Sequence, residues 1–424
     1  MSIRFRFNWV DAGPSSDSLA RDTMAALSIE ARDQLVTAVL DRRNRSYRDH
    51  VIVPLYHVAE WLIANWWHIW YEVADTREQR MEFEFRHNLA FAGDGFVLPN
   101  LYVVPSSGRM HLRWTRSQPQ YARIEFVDES ETYVERAQLE QEFRTVIDAV
   151  LERIRGVGRH EHAVESLADA WEAVNALDSD EQEFSRAAAL LGIDPYEVSD
   201  DVASAVIDFW ETVDPSIRED ALASASQESL RSVGRWLHDA FDTLATAEGG
   251  RDWPRVRDNV SANVTGAPWE RGYDLARRIR SELASGIGRF EFDGGAGLAL
   301  GHVAQVMPSL RIHGLVAAHT PSCVIAPRGE SGTRFLLARA LGDYLGRTET
   351  GAAILTSLAT DRQAQNRAFA AELLAPAEAL RAALDSANPV EPERVDDLAY
   401  EFGVAAEVIR RQIENHGIAS IAEY

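Results

Sequence analysis

The stretch Ser331–Arg347, SGTRFLLARALGDYLGR, constrains the fold most, because it combines helical spacing with apolar side chains on more than one side. This pattern predicts a helix buried in a core. Ser331 is the expected N-cap, and Arg347 lies in the last turn, where a cation favours the helix dipole. Gly342 costs a helix about 1 kcal/mol relative to alanine, so it predicts close packing against another element.

The segments before and after this helix predict a defined order of strands and helices. Upstream, VAAHTPSCVIAPRGE (Val316–Glu330) predicts strands and a short loop, and downstream DRQAQNRAFAAELLAPAEAL (Asp361–Leu380) predicts a second helix. The order is therefore strand, loop, a helix that opens with Arg-Phe, a spacer, and a helix reading FAAELLAP.

This order resembles the ImmA/IrrE family of zinc-dependent metallopeptidases, whose first helix reads RF-x-x-A-H-E-x-G-H. Arg334, Phe335, Ala338 and Gly342 match that frame. The resemblance implies a zincin-like domain over 259–424, in which two histidines one turn apart hold zinc and the glutamate polarises a bound water.

The positions that carry the chemistry are changed in this chain. The first histidine is replaced by Arg339, the glutamate by Ala340 and the second histidine by Asp343. The third ligand of the family, a glutamate, falls within 363–366, which reads QAQN. Only Asp343 and Asp361 remain as candidate metal ligands there. The resemblance therefore implies a pseudoenzyme with no catalytic residue, no cofactor and no bound zinc.

Arg339 and Asp343 stand four residues apart, so we expect them to form an ion pair on the face that would have held the metal. A cation at Arg339 also repels zinc. Ala340 leaves the helix without a general base.

Two other functions are compatible with the sequence. An active zinc metallo-endopeptidase that cleaves a repressor or antitoxin could use unusual ligands, namely Asp343, Asp361 or one of the histidines His302, His313 and His319. A DNA-binding regulator could use the two-helix unit predicted about Gly403 within Arg394–Ile418, where Arg410 and Arg411 would contact phosphates.

Composition bears on the partners. The net charge of −23 argues against general affinity for nucleic acid or anionic membranes. No apolar run reaches transmembrane length, and the N-terminus lacks a signal-peptide core. Cys323 is the single cysteine, predicted to be a buried thiol, and fits a reducing cytoplasm. We therefore expect a cytoplasmic protein whose partner is a protein or peptide, such as a regulator encoded nearby.

The fold class expected from these patterns is α+β, mainly helical. An N-terminal Trp-rich domain with a small antiparallel sheet is expected over 1–158, an acidic helical region over 159–258, and the zincin-like domain with a C-terminal helical unit over 259–424. Gly156–His162 reads as a linker, in which His160 and His162 are unsuited to share a metal ion.

Within the first domain, alternation predicts a strand at Ile3–Trp9, and helices are expected through Leu19–Arg42. The segment VPLYHVAEWLIANWWHIWYEV predicts one mostly buried helix with a polar stripe. The stripe consists of residues spaced by four: Glu60, Ala64, His68 and Glu72. The runs LYVVP, MHLRW and ARIEFV predict an antiparallel meander, followed by a long helix at Tyr133–Arg155.

Further along the chain, the pattern of Asp180–Val198 predicts two helices joined by a glycine turn. The acidic second half of this segment disfavours DNA binding. RFEFDGG, LRIHGLVAAH and CVIAP are predicted strands. Gly294–Gly301 lacks the lysine of a phosphate-binding loop and is expected to be a flexible turn.

Overall fold

The chain forms two compact units, Met1–Val198 and Ser199–Tyr424. The computed structural model describes residues 3–11, 17–75, 81–106, 108–120, 122–247, 252–260, 266–292, 300–347, 351–384 and 389–422. The architecture is α+β, with many helices and small sheets, as the sequence predicts. Residues 159–258, predicted as a separate region, are divided between the two units.

The first unit alternates short strands with helices. In chain order its elements are β1 (Ile3–Trp9), α1 (Ser18–Asp22), β2 (Met24–Ala31), β3 (Gln34–Leu35), β4 (Val39–Asp41), β5 (Ser46–Arg48), β6 (Val51–Pro54), α2 (Leu55–Ala64), α3 (Trp66–Tyr71), α4 (Met81–His87), a 3-10 helix (Leu89–Gly93), β7 (Asn100–Ser106), β8 (Arg109–Thr115), β9 (Ile124–Phe126), β10 (Ser130–Glu135), α5 (Arg136–Val157), α6 (Glu161–Asn175) and α7 (Ser179–Leu191).

The predicted opening strand is confirmed, since β1 pairs along its length with β2 in antiparallel register. The helices expected through Leu19–Arg42 are wrong beyond α1. The run MAALSIEA forms β2 instead, and its buried positions alternate along most of the strand. Alanine and leucine favour helices in isolation, but here pairing with β1, β3 and β6 decides the conformation.

The Trp-rich segment is buried as predicted, but it is two helices rather than one. The interruption lies at Asn65, between α2 and α3. Glu60 and Ala64 are exposed, whereas His68 and Glu72 are buried. Because the interruption ends the continuous helical repeat, the four-residue spacing no longer defines one polar stripe.

The predicted meander is correct in its first two strands and wrong in its third. The sheet order is β10-β8-β7, whereas β9, within ARIEFV, joins β4 in another sheet. Tyr133 and Val134 belong to β10, so the long helix predicted from Tyr133 begins at Arg136. The helix predicted after Gly192 is also absent, because residues 193–199 are non-helical and the next helix begins at Asp200.

The second unit places helices around a four-stranded sheet. Its elements are α8 (Asp200–Thr212), α9 (Arg218–Ser224), α10 (Leu230–Thr246), α11 (Trp253–Val260), α12 (Pro268–Glu282), β11 (Gly301–Ala304), β12 (Ile312–Val316), β13 (Ser322–Ile325), α13 (Glu330–Gly346), β14 (Ala353–Thr356), α14 (Asp361–Leu374), α15 (Ala377–Ala383), α16 (Pro392–Phe402) and α17 (Ala406–Asn415).

The sheet of the second unit has the strand order β11-β13-β12-β14. Strand β12 is antiparallel to β13 and β14, and β11 is parallel to β13. Strands β12, β13 and β14 are buried throughout, whereas β11 is largely exposed. β12 and β13 confirm two predicted strands; the segment at Arg289–Phe292 is not a strand, and β14 was not predicted. Most of Gly294–Gly301 lies outside the described residues.

Among the described residues, none of the helices combines the length and the apolar character needed to cross a bilayer.

Candidate functional site

Helix α13 is the predicted core helix, and it is buried along most of its length. It contacts β12, β13 and α14. A Cβ atom at Gly342 would lie 2.5 Å from Cδ1 of Phe369 in α14, so only glycine permits this approach. The close packing predicted from Gly342 is therefore confirmed. The N-cap is Gly329 rather than Ser331, and Arg347 is the C-cap residue.

Arg339, at the first histidine position of the resembling motif, is 2% exposed and is held by neutral acceptors. Its Nη1 lies 2.9 Å from Nδ1 of His313 in β12. Its Nη2 donates to the carbonyl oxygen of Thr356 in β14 at 2.8 Å and to Oε1 of Gln363 in α14 at 2.5 Å. The guanidinium thus ties the helix to two strands and to the neighbouring helix.

Asp343, at the second histidine position, is also 2% exposed. Its Oδ1 accepts from Nδ2 of Asn366 at 2.9 Å, and its Oδ2 accepts from Nε of Arg347 at 2.9 Å. The ion pair predicted between Arg339 and Asp343 is therefore wrong: Asp343 pairs with Arg347, one turn later. Arg339 is drawn instead to acceptors on the sheet and α14.

The segment expected to hold the third ligand does face α13. Gln363 and Asn366 are one helical turn apart on α14, and each bonds a different one of the two substituted positions. Gln363 also accepts from the backbone N–H of Thr356 at 3.1 Å, and its Nε2 donates to the carbonyl oxygen of Ile354 at 2.7 Å. The structure thus brings the residues at the motif positions together as one polar cluster. We call the side chains of Arg339, Asp343, Gln363, Asn366 and His313 the α13 cluster.

Ala340, at the glutamate position, is fully buried in the hydrophobic core of the second unit. Asp361 is the first residue of α14, behind the Thr360 N-cap, where its charge favours the helix dipole. Within the residues the structure describes, no group of three or more His, Cys, Asp or Glu side chains is placed to hold a metal ion.

The chemistry open to the α13 cluster is limited. An arginine stays protonated in proteins, so it cannot act as a general base. Because a guanidinium only donates, His313 accepts through Nδ1 and carries its proton on Nε2. Both oxygens of Asp343 are occupied by donors. The cluster is built to stabilise the packing of α13, and it offers no group poised to activate water.

The other candidate residues lie elsewhere. His302 is on β11, and its Nδ1 lies 3.4 Å from the carbonyl oxygen of Leu300, whereas His319 follows β12 in a turn. Cys323 is buried as predicted, and burial raises the pKa of its thiol to about 12. A thiol that stays protonated is a poor nucleophile.

His160, in the predicted linker, contacts a carboxylate of α1. Its Nε2 lies 2.6 Å from Oδ2 of Asp22, which also accepts from Nε of Arg159 at 2.7 Å. Hydrogen bonds from Arg159 foremost, and from His160, lower the pKa of Asp22 to about 2, although partial burial opposes them. The predicted linker thus fastens α1 to the end of α5.

The two-helix unit predicted about Gly403 is present as α16 and α17. Gly403 ends α16 with a φ of 65°, the left-handed conformation that favours glycine. Arg411 pairs with Glu407 on the exposed side of α17.

The sequence reading missed a second polar centre, around Glu372 in the FAAELLAP run. This buried carboxylate accepts from Nε of Arg277 at 2.8 Å and from Nε2 of Gln412 at 3.0 Å, and its Oε2 lies 3.3 Å from the backbone N of Ala377. An acid inside an otherwise apolar run was the available signal, because such a carboxylate requires partners when buried.

Comparisons of the chain with family models, with curated proteins and with solved structures gave no significant match to any of them.

Proposed function

We propose that this chain is a catalytically degenerate ImmA/IrrE-like protein, a pseudopeptidase that acts by binding a protein or peptide partner. The observation that carries the proposal is the α13 cluster. The positions that resemble the family's ligands meet in space, yet they are filled by an arginine, an amide pair and an aspartate already bound to Arg347.

The arrangement of elements supports the zincin-like part of the proposal. Strands β12 and β13, helix α13 and helix α14 follow one another in the order that the resemblance implies, and β14 lies within the spacer between the two helices. Gly272 of α12 permits close contact with α14, since a Cβ there would lie 2.4 Å from the carbonyl oxygen of Gln365. The two helices therefore pack closely against each other within this scaffold.

The exposed strand β11 is the surface that suits a peptide partner. It pairs with β13 on one side, and no further strand pairs with it among the described residues. Val303 is 37% exposed, and Val306 and Leu310, in the segment that joins β11 to β12, are 83% and 86% exposed. An extended peptide can add a strand to such an edge through main-chain hydrogen bonds, with apolar side chains contributing specificity.

The role we propose is regulatory, in a bacterial stress response or in the control of a mobile element, and it follows from the resemblance alone. The single, buried cysteine fits a reducing cytoplasm as its location.

Two experiments test the proposal. The first incubates the full chain with unfolded casein and added zinc, with and without a chelator, and we expect no turnover. Cleavage that the chelator abolishes would contradict a pseudopeptidase.

The second experiment selects binders from a displayed library of short random peptides and measures their affinity for variants. Val303→Lys and Val306→Lys should weaken binding, whereas Tyr400→Lys, which changes an exposed ring on α16, should not. If all three substitutions change the affinity equally, the peptide does not bind at β11.

A further inference from the structure

A cleft of about 840 Å³ opens on the second unit beside the Glu372 centre. It is lined by parts of α12, the turn that follows α12, and the start of α15. Three arginines contribute to its wall: Arg277, Arg280 and Arg381. Glu372 and Glu378 also line the cleft, so its charged lining has an excess of guanidinium groups in a chain with a net charge of −23.

Arg280 places a buried positive charge at this cleft. The residue is 6% exposed, and its hydrogen bonds go to backbone carbonyl oxygens. Nε donates to Leu373 at 2.8 Å, Nη1 to Gly286 at 2.6 Å and Nη2 to Gly288 at 2.9 Å. Burial lowers the pKa of Arg280 to about 10, against the opposing effect of Glu372. Carbonyl dipoles hold the guanidinium in place without cancelling its charge.

The carboxylate of the nearby Glu372 already has hydrogen-bonding and charged partners. Arg277, Gln412 and His416 surround its carboxylate, with Nε2 of His416 at 3.5 Å from Oε2. Arg277 commits its Nε to this carboxylate, but its side chain is 55% exposed and lines the cleft. Arg381 is exposed, and its Nη2 makes one long contact of 3.5 Å with the carbonyl oxygen of His416.

We propose that this cleft binds a small oxyanion, a carboxylate or a phosphate group. Arg277 and Arg381 donate hydrogen bonds to the anion, and Arg280 supplies a fixed positive field from the wall. Glu378, which also lines the cleft, repels a second negative charge and so limits how much anionic charge the cleft accepts. This proposal is independent of the pseudopeptidase proposal, since it uses another face of α14.

The test titrates the full chain with inorganic phosphate and, separately, with citrate at constant ionic strength, and measures heat of binding. Saturable binding of phosphate alone indicates a phosphate-bearing ligand, and binding of citrate alone indicates a carboxylate ligand. Saturable binding of both indicates general oxyanion recognition, and the absence of saturable binding overturns the proposal.

Matched variants locate the site. Arg381→Gln should weaken binding about tenfold, the equivalent of one charge-assisted hydrogen bond. Glu378→Gln should tighten it. Arg278→Gln, on the same helix as Arg277 but outside the cleft lining, changes the net charge equally and should leave the affinity unaltered. If Arg381→Gln and Arg278→Gln behave alike, the anion binds elsewhere and the proposal fails.

Discussion

At the scale of single residues, Arg339 shows how neutral acceptors can hold a buried guanidinium. Its guanidinium reaches His313, Thr356 and Gln363, which belong to three different elements. A buried charge of this kind is tolerated when hydrogen bonds satisfy it, and its removal leaves buried acceptors without a donor.

A double-mutant cycle tests this role. Arg339→Met and Gln363→Leu should each lower the free energy of unfolding by about 2–3 kcal/mol. Because the two side chains share a hydrogen bond, the double variant should differ from the sum by at least about 1 kcal/mol. Combining Arg339→Met with Arg411→Gln, an exposed change on α17, should give additive effects in urea denaturation. Additivity in both cycles would mean that the bond has no energetic role.

Asp22 makes the stability of the fold depend on pH, and the sign of this dependence follows from its pKa of about 2, below the ordinary value of 3.8. The unfolded chain takes up the proton first as pH falls, so the stabilisation is present above about pH 4 and disappears towards pH 2. At pH 7, Asp22→Asn should lower the free energy of unfolding by about 1–2 kcal/mol, and the difference should vanish near pH 2.

The comparison for Asp22 is Asp396→Asn, an exposed change on α16. It should leave the stability unaltered at both pH values. If Asp22→Asn lowers the free energy of unfolding as much at pH 2 as at pH 7, the ionised carboxylate of Asp22 is not the source of the stabilisation.

Sequence reasoning placed Arg339 and Asp343 on the core helix α13, where the structure has them, but it did not predict their partners. Spacing identifies which residues share a helix face, so Arg339 and Asp343 were expected to pair. Long side chains can reach across to other elements, and His313 and Thr356 lie on strands distant in sequence. No local pattern encodes such contacts.

At the scale of elements, α3 carries a buried base. His68 is 4% exposed, and burial foremost lowers its pKa to about 4. The charges facing it act in both directions, since Glu72 and Asp194 raise this pKa whereas Arg86 and His87 lower it. The folded protein therefore holds His68 neutral through a pH range in which the unfolded chain binds a proton.

His68→Leu should consequently reduce the loss of stability on acidification. Below the ordinary histidine pKa of 6.5 protonation favours the unfolded chain, so this residue costs up to about 3 kcal/mol as pH falls to about 4. Urea denaturation of His68→Leu between pH 7 and 4 should show a shallower decline than the unmodified chain. His238→Leu, an exposed change on α10, should follow the unmodified chain, and parallel curves for all three would contradict a buried neutral His68.

Elements with long periodic patterns were predictable, whereas the strands β2 and β14 were not. α13, α14 and the unit about Gly403 follow their patterns within a few residues. β14 has four residues, all buried, and so shows no alternation. β2 reads as a helix by composition, and only its pairing partners make it a strand.

At the scale of the whole molecule, two α+β units are present, and the second contains both the α13 cluster and the arginine-lined cleft. Both features lie around α14 and bury charged side chains with specific partners. In our account the second unit keeps a peptidase-like scaffold, has exchanged the metal for hydrogen bonds, and exposes β11 to a partner.

The most direct test of this account is the zinc content of the full chain, measured by mass spectrometry after purification without an affinity tag or chelator. A scaffold whose ligand positions are Arg339, Asp343 and the amides of α14 should contain far less than one zinc per chain, with its fold intact by circular dichroism. Near-stoichiometric zinc would contradict the account, because it would require ligands to converge where the α13 cluster now lies.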